Sequence, residues 1–195
     1  MSQRHLVLVG MMGSGKSSVG KRCAERLARP LVDTDEIVES LAGASVSEVF
    51  ARDGEAAFRA LERQAVADAC AAPVPVVIAA GGGAVLDAEN RKHLRATGTV
   101  VWLQASPAKL AARVGDARTR PLLRDDAANS LERLDTLRRP AYEAAAHATV
   151  DTEGLSIAAV VDAVLEKFAP MSTERVSVQP ETPVEPMPRR AKTRP

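Results

Sequence analysis

Gly10-Met11-Met12-Gly13-Ser14-Gly15-Lys16-Ser17 follows the apolar run Leu6-Val7-Leu8-Val9 and leads into a stretch of helical periodicity. The octet matches GxxxxGK[ST]. In that pattern glycines let backbone N–H groups close around phosphates, the lysine reaches the outer phosphates and the hydroxyl residue meets magnesium. The alternative is a glycine-rich surface turn. Position favours the phosphate reading, because the stretch sits where strand gives way to helix and the helix dipole then points at a bound anion.

Working outward, short β-branched runs alternate with helical patterns. Strands are expected at Leu6–Val9, Leu31–Val32, Val74–Ala79, Thr99–Leu103 and Ala148–Val150. Five strands with helices between them imply an α/β layered domain. Val76-Val77-Ile78 and Val100-Val101-Trp102-Leu103 are apolar on both faces, as buried parallel strands require, so the sheet should be mainly parallel. Helices are expected from about Gly15 to Ala28, with Val19, Cys23 and Leu27 inward, and at Val46–Arg52 and Glu55–Ala71, divided by Gly54. The last of these turns Phe58, Leu61, Ala65 and Ala69 inward. Ser106-Pro107 is a cap followed by proline at the first helical position, and a final helix fits Ser156–Phe168, packing on Ile157, Val160, Val161, Val164, Leu165 and Phe168.

Between Gly115 and Ala128 the periodicity fails and charge is dense, with Arg118, Arg120 and Arg124 in the stretch. Such a segment is either a plain solvated loop or, in a phosphate-handling protein, a lid over the site. From Pro170 prolines become frequent and hydrophobic periodicity ends, which reads as a disordered Pro-rich tail over 170–195, behind a single domain over 1–169. The tail holds five basic and three acidic residues, so the rest of the chain is nearly neutral.

The whole chain of 195 residues carries 26 Lys and Arg against 25 Asp and Glu. No global field draws it to nucleic acid or to an anionic membrane. Cys23 and Cys70 stand far apart without a CxxC or Cys/His cluster, and nothing near either is arranged to activate a thiol, so both read as small core residues. Too few apolar residues precede Gly10 for a signal segment, and no run is long enough to span a bilayer. The expectation is a cytoplasmic protein.

Val32-Asp33-Thr34-Asp35 ends the second strand, and ligands of open parallel sheets bind beyond the carboxyl ends of the strands. Strand alternation would place Asp33 and Asp35 on one side, where one acid can join a magnesium shell and the other can orient a hydroxyl and accept its proton. The alternative is that one of them merely caps the helix beginning near Glu36. Gly81-Gly82-Gly83 follows the third strand and permits close approach to backbone. Arg59 and Arg138, each alone a plausible solvated charge, can together clamp a planar carboxylate.

Six stretches, in this order, carry a family resemblance: GMMGSGKSSVG, LVDTD, VFARDGEAAFRALE, GGGAV, RPLL and Arg138-Arg139-Pro140-Ala141-Tyr142 in the pattern RxPxY. Over about residues 5–168 the chain resembles the shikimate kinases. That resemblance implies a P-loop kinase three-layer sandwich with a five-stranded parallel sheet, nucleoside monophosphate kinase-like, with a lid. It also implies ATP-dependent phosphorylation of shikimate to 3-phosphoshikimate in aromatic amino-acid biosynthesis. By the same resemblance ATP would lie on Gly13, Ser14, Gly15, Lys16, Ser17, Ser18, Arg113 and Arg120, with Lys16 on its outer phosphates and Arg113 against adenine. Ser17 would ligate Mg2+, with Asp33 reaching the ion through water. Asp35 would hold the shikimate hydroxyls, Arg59 and Arg138 its carboxylate, and Gly81, Gly82 and Gly83 would close the pocket. Lys16, Asp35 and Arg120 would be catalytic, and Glu62 would brace Arg59. Where family members carry an adenine-contacting Arg or Gln after the last strand, this chain reads Thr152-Glu153-Gly154-Leu155-Ser156. The expected partners are ATP and shikimate, with no nucleic acid or membrane, and the expected state is a monomer. Rival readings are another small-metabolite kinase, of gluconate type, and a non-catalytic shikimate-sensing domain.

Overall fold

The computed structural model describes residues 4–114 and 127–171. Strands β1 (His5–Val9), β2 (Leu31–Asp33), β3 (Val77–Ala79), β4 (Gly98–Gln104) and β5 (Ala148–Asp151) form one sheet in the order β2-β3-β1-β4-β5. Every neighbouring pair is parallel. Alternation along β1 divides the core. Val7 and Val9 face a layer with Ile78, Val100 and Trp102, whereas Leu6 and Leu8 face the opposite layer with Val77, Val101 and Leu103. Helices α1 (Lys16–Leu27) and α7 (Ile157–Met171) cover the second face through Val19, Cys23, Val160, Val164 and Phe168. The first face is covered by α3 (Val46–Cys70), α4 (Ala88–Thr97), α5 (Pro107–Val114) and α6 (Ala127–Ala145). The result is the expected three-layer α/β/α arrangement.

The remaining helix, α2 (Thr34–Ala42), is the one expected near Glu36 and starts two residues earlier, whereas α4 goes beyond the elements expected from sequence. Both start at an aspartate cap: Asp33 accepts from Asp35 N–H, and Asp87 accepts from Glu89 and Asn90 N–H. β3 is shorter than expected, since Pro73 and Pro75 cannot donate to a ladder and Val74 is exposed. The two helical stretches around Gly54 form one bent element. Gly54 adopts φ 80°, ψ 174°, a region open essentially to glycine alone. The two arms of α3, with Val49 before the bend and Phe58 and Ala65 after it, close on Val38 of α2 to build a small apolar cluster beside the two main layers.

α7 runs through Met171, past the boundary expected at residue 170, and its first residue, Ile157, is exposed rather than packed. Of the expected lid, only residues 127 and 128 fall in a described element, the start of α6; the rest of it and the tail from 172 lie outside the described residues. Cys23 and Cys70 are both buried, and desolvation pushes the Cys23 thiol up to about 11, in keeping with core packing.

At the end of the sheet away from the glycine loop, two imidazoles extend the ladder. His5 Nδ1 accepts from Val76 N–H at 3.1 Å and His147 Nδ1 from Val100 N–H at 3.0 Å. Among the described residues no helix is long and apolar enough to cross a membrane.

Candidate active site

The loop between β1 and α1 turns on Gly13 and Gly15, whose positive φ angles of 79° and 94° aim the first turn of α1 back across the sheet end. Lys16 Nζ donates to the carbonyls of Gly10 at 2.8 Å and Met11 at 3.1 Å, so the amine lies folded over the loop. Ser17 Oγ donates to Asp33 Oδ2 at 2.9 Å, while Asp33 Oδ1 accepts from Asp35 N–H at 3.1 Å. Strand alternation does not relate the two acids: β2 ends at Asp33 and Asp35 belongs to the first turn of α2. Both nevertheless line one cleft. The cap is made by Asp33, which holds Ser17 with its other oxygen. A hydroxyl and a carboxylate are hard oxygen donors beside a phosphate loop, a partial set that suits magnesium, which keeps waters and substrate phosphates in its shell.

Across the cleft, the turn after β3 is threaded between charged groups. Gly81 N–H donates to Thr34 Oγ1 at 2.8 Å, and a Cβ on Gly81 would stand 2.6 Å from Asp35 Oδ1 and 3.1 Å from Glu62 Oε1. Arg59 Nη1 donates to Glu62 Oε2 at 2.7 Å, and its Nη2 to Glu55 Oε1 at 3.0 Å. Burial would lower the Arg59 pKa, but Glu62 and Glu55 outweigh it and hold the guanidinium charged. For Glu62, only 2% exposed, burial pushes the carboxyl above its usual range against the pull of Arg59. Arg138, from α6, donates Nη1 to the Gly82 carbonyl at 3.1 Å, and its buried Nε has no partner among the described residues.

These two sides share a single cleft of about 930 Å³, lined among others by Lys16, Ser17, Asp33, Asp35, Arg59 and Arg138. Gly13, Gly15, Ser18, Gly82, Gly83 and Arg113 also reach it. Ser14 and Gly81 do not line it: the Ser14 side chain is buried, and Gly81 is tied to Thr34. Arg113 is held by a fork, Nη1 to Thr152 Oγ1 and Nη2 to Thr152 O, both at 2.9 Å. Arg120 lies outside the described residues.

Sequence reasoning assigned no site role to Thr34, Thr152 and Tyr142, of which Thr34 and Tyr142 each fix a glycine of the turn after β3 by one hydrogen bond and Thr152 fixes Arg113 by two. Thr34 lies between the two acids and Tyr142 ends the RxPxY stretch, so neighbourhood alone marked them. Thr152 carried no signal before the fold closed Arg113 onto it.

A phosphate loop facing an arginine-walled chamber, with acids where β2 gives way to α2, defines a P-loop kinase of a small-molecule acceptor. The family model described as shikimate kinase matches residues 12–169. A shikimate kinase of Symbiobacterium thermophilum is 49% identical over 167 residues, covering 84% of this chain and 95% of its own. One of Dechloromonas aromatica is 41% identical over 167 residues, covering 85% and 91%. Among solved structures, the shikimate kinase from Acinetobacter baumannii in complex with shikimate aligns at a TM-score of 0.83 with 31% identity, covering 88% of this chain and 96% of that one. The chain belongs to the shikimate kinase family.

Proposed function

We propose that this protein transfers the γ-phosphoryl group of ATP to a hydroxyl of shikimate, giving 3-phosphoshikimate and ADP. The observation that carries the reading is the shared cleft, with Lys16 and Ser17 on one wall and Arg59 and Arg138 on the other. In the forward step the hydroxyl oxygen forms the new O–P bond, the bond to the β-phosphate oxygen breaks, and Asp35 accepts the hydroxyl proton. Lys16 leaves the Gly10 and Met11 carbonyls for the phosphates, where it offsets charge that develops in the transition state. Arg59 and Arg138 hold the acceptor carboxylate, and Glu62 keeps Arg59 in place. Magnesium fits Ser17, with Asp33 in the outer shell, and would supply further charge neutralisation between the phosphates. Arg113, fixed by Thr152, offers a flat guanidinium face to the base.

Residues 1–169 are the proposed catalytic unit, a reading supported by the family match over 12–169. The chain is proposed to work as a cytoplasmic monomer; its two buried free thiols suit a reducing compartment. The test is ADP release in a coupled assay with shikimate, quinate and gluconate as acceptors. Release should depend on shikimate. A protein that releases ADP equally with gluconate, or not at all with shikimate, would refute the assignment.

A further inference from the structure

Tyr142 lies one helical turn beyond Arg138 and is fully buried at 0% exposure. Its hydroxyl donates to the Gly82 carbonyl at 2.6 Å, the same oxygen that accepts Arg138 Nη1 at 3.1 Å. The ring stacks on Trp102, with centroids 5.5 Å apart and planes inclined by 13°, and the Arg139 guanidinium covers the indole. The phenol is therefore held in one orientation. Desolvation drives its pKa well above the ordinary range, which keeps it a proton donor.

The described peptide bonds are all trans, and in a trans peptide the carbonyl and the following N–H point in opposite directions. Anchoring Gly82 O on Tyr142 and Arg138 thus turns the Gly83 N–H away from α6. No acceptor among the described residues takes the Gly82 or Gly83 N–H, and both glycines line the cleft. The Arg59 guanidinium packs directly against the Gly83 Cα. One peptide plane therefore separates the two arginines.

We propose that Tyr142 is a positioning residue for the acceptor carboxylate: its hydroxyl fixes the Gly82–Gly83 peptide and the Arg138 guanidinium against each other, so that backbone N–H and both arginines meet the anion without rearrangement. This rests on the proposed reading that the acceptor carries a carboxylate. Preorganised donors bind more tightly than donors that must first be ordered.

The experiment compares full-length wild type with Tyr142→Phe. The KM for shikimate should rise roughly 3- to 10-fold, the net worth of one hydrogen bond, with the KM for ATP unchanged. With shikimate methyl ester, which lacks the anion, the two proteins should differ by less than about twofold, because only the carboxylate senses the cradle. A lowered melting temperature with an unaltered shikimate KM would make Tyr142 merely structural and overturn the proposal. Wild type without shikimate-dependent ADP release would instead overturn the functional reading on which it rests. If Tyr142→Phe does not fold, 3,5-difluorotyrosine at 142 keeps the ring and strengthens the donor. It should lower the shikimate KM, and an unchanged value overturns the proposal.

Discussion

The Ser17 hydroxyl donates to Asp33 Oδ2 at 2.9 Å, joining the phosphate loop to the end of β2. Because Asp33 also caps α2 through Oδ1, one carboxylate sets both the position of the loop hydroxyl and the first turn that carries Asp35.

Asp33→Asn keeps an oxygen for the cap but removes the charge. A residue that orients a metal ligand typically accounts for about 10- to 100-fold in metal affinity or activity. The Mg2+ concentration giving half-maximal rate at fixed ATP should therefore rise by that order, with the melting temperature little changed. An unaltered magnesium titration would remove Asp33 from the metal's surroundings.

Lys16→Ala and Asp35→Asn should each abolish measurable turnover, since both act on groups whose charge changes during transfer. Arg138→Ala removes a binding contact instead. A hydrogen bond to a charged group is worth about 1.5–3 kcal/mol, so the shikimate KM should rise by roughly 10- to 150-fold with a smaller change in kcat. Steady-state kinetics separate the two classes, and a kcat effect dominating in Arg138→Ala would assign it a role in the transition state.

Gly81→Ala would place a methyl group 2.6 Å from Asp35 Oδ1 and 3.1 Å from Glu62 Oε1. Asp35 must then move, and a displacement of about 1 Å in a catalytic group can cost about 100-fold in rate. The loss should appear in kcat/KM while chemical denaturation shifts little, because the contact is with side chains at the cleft and not with sheet packing. A variant with full activity would show that Asp35 has room to spare.

What could be read from the sequence follows the range of the forces involved. The loop and the parallel sheet were legible because each rests on local pattern, a motif and apolar runs on both strand faces, whereas Arg59 and Arg138 were paired through the motifs that carry them and not by any local signal. The relation between Asp33 and Asp35 was misread, since alternation was extended two residues past Asp33, where β2 ends and α2 begins. α4 was missed although Asp87 offers a cap, its mean character being polar with few apolar positions to set a period. The roles of Thr152 and Tyr142 could not be read although both lie in quoted stretches, because their partners, Arg113 and Gly82, are 39 and 60 residues away in the chain.

Protonation should test the far end of the sheet. His5 is held below its ordinary pKa by burial first, with Arg29 adding to the effect and a bond to the Cys70 carbonyl opposing it. His147 is lowered by burial, then by Arg95 and Arg4. Both Nδ1 atoms accept strand N–H groups, so the folded state favours neutral imidazole. The unfolded chain protonates near the ordinary histidine value of about 6.5, so stability from these groups is complete above that pH and is lost as pH falls through it toward the lower folded values. Unfolding free energies should slope downward below about pH 6.5, and the double variant His5→Asn/His147→Asn, whose amides can still accept, should flatten that slope. An unchanged slope would place the acid sensitivity elsewhere.

The buried residues of the cluster, Val38, Val49, Phe58 and Ala65, are distinct from those of the two layers that flank the sheet, and half-buried Ile37 packs against both it and the first layer. Locally packed units of this kind open at lower free energy than the whole molecule. Phe58 and Arg59 are neighbours in α3, so the wall that meets the acceptor is mounted on this minor nucleus, while the phosphate loop is mounted on the central strand. The two substrates are thus received by parts of unequal stiffness. Mutations in the smaller nucleus can reshape which acceptor fits while leaving the nucleotide grip intact, which gives the fold a route to new acceptors that does not pass through loss of the old donor.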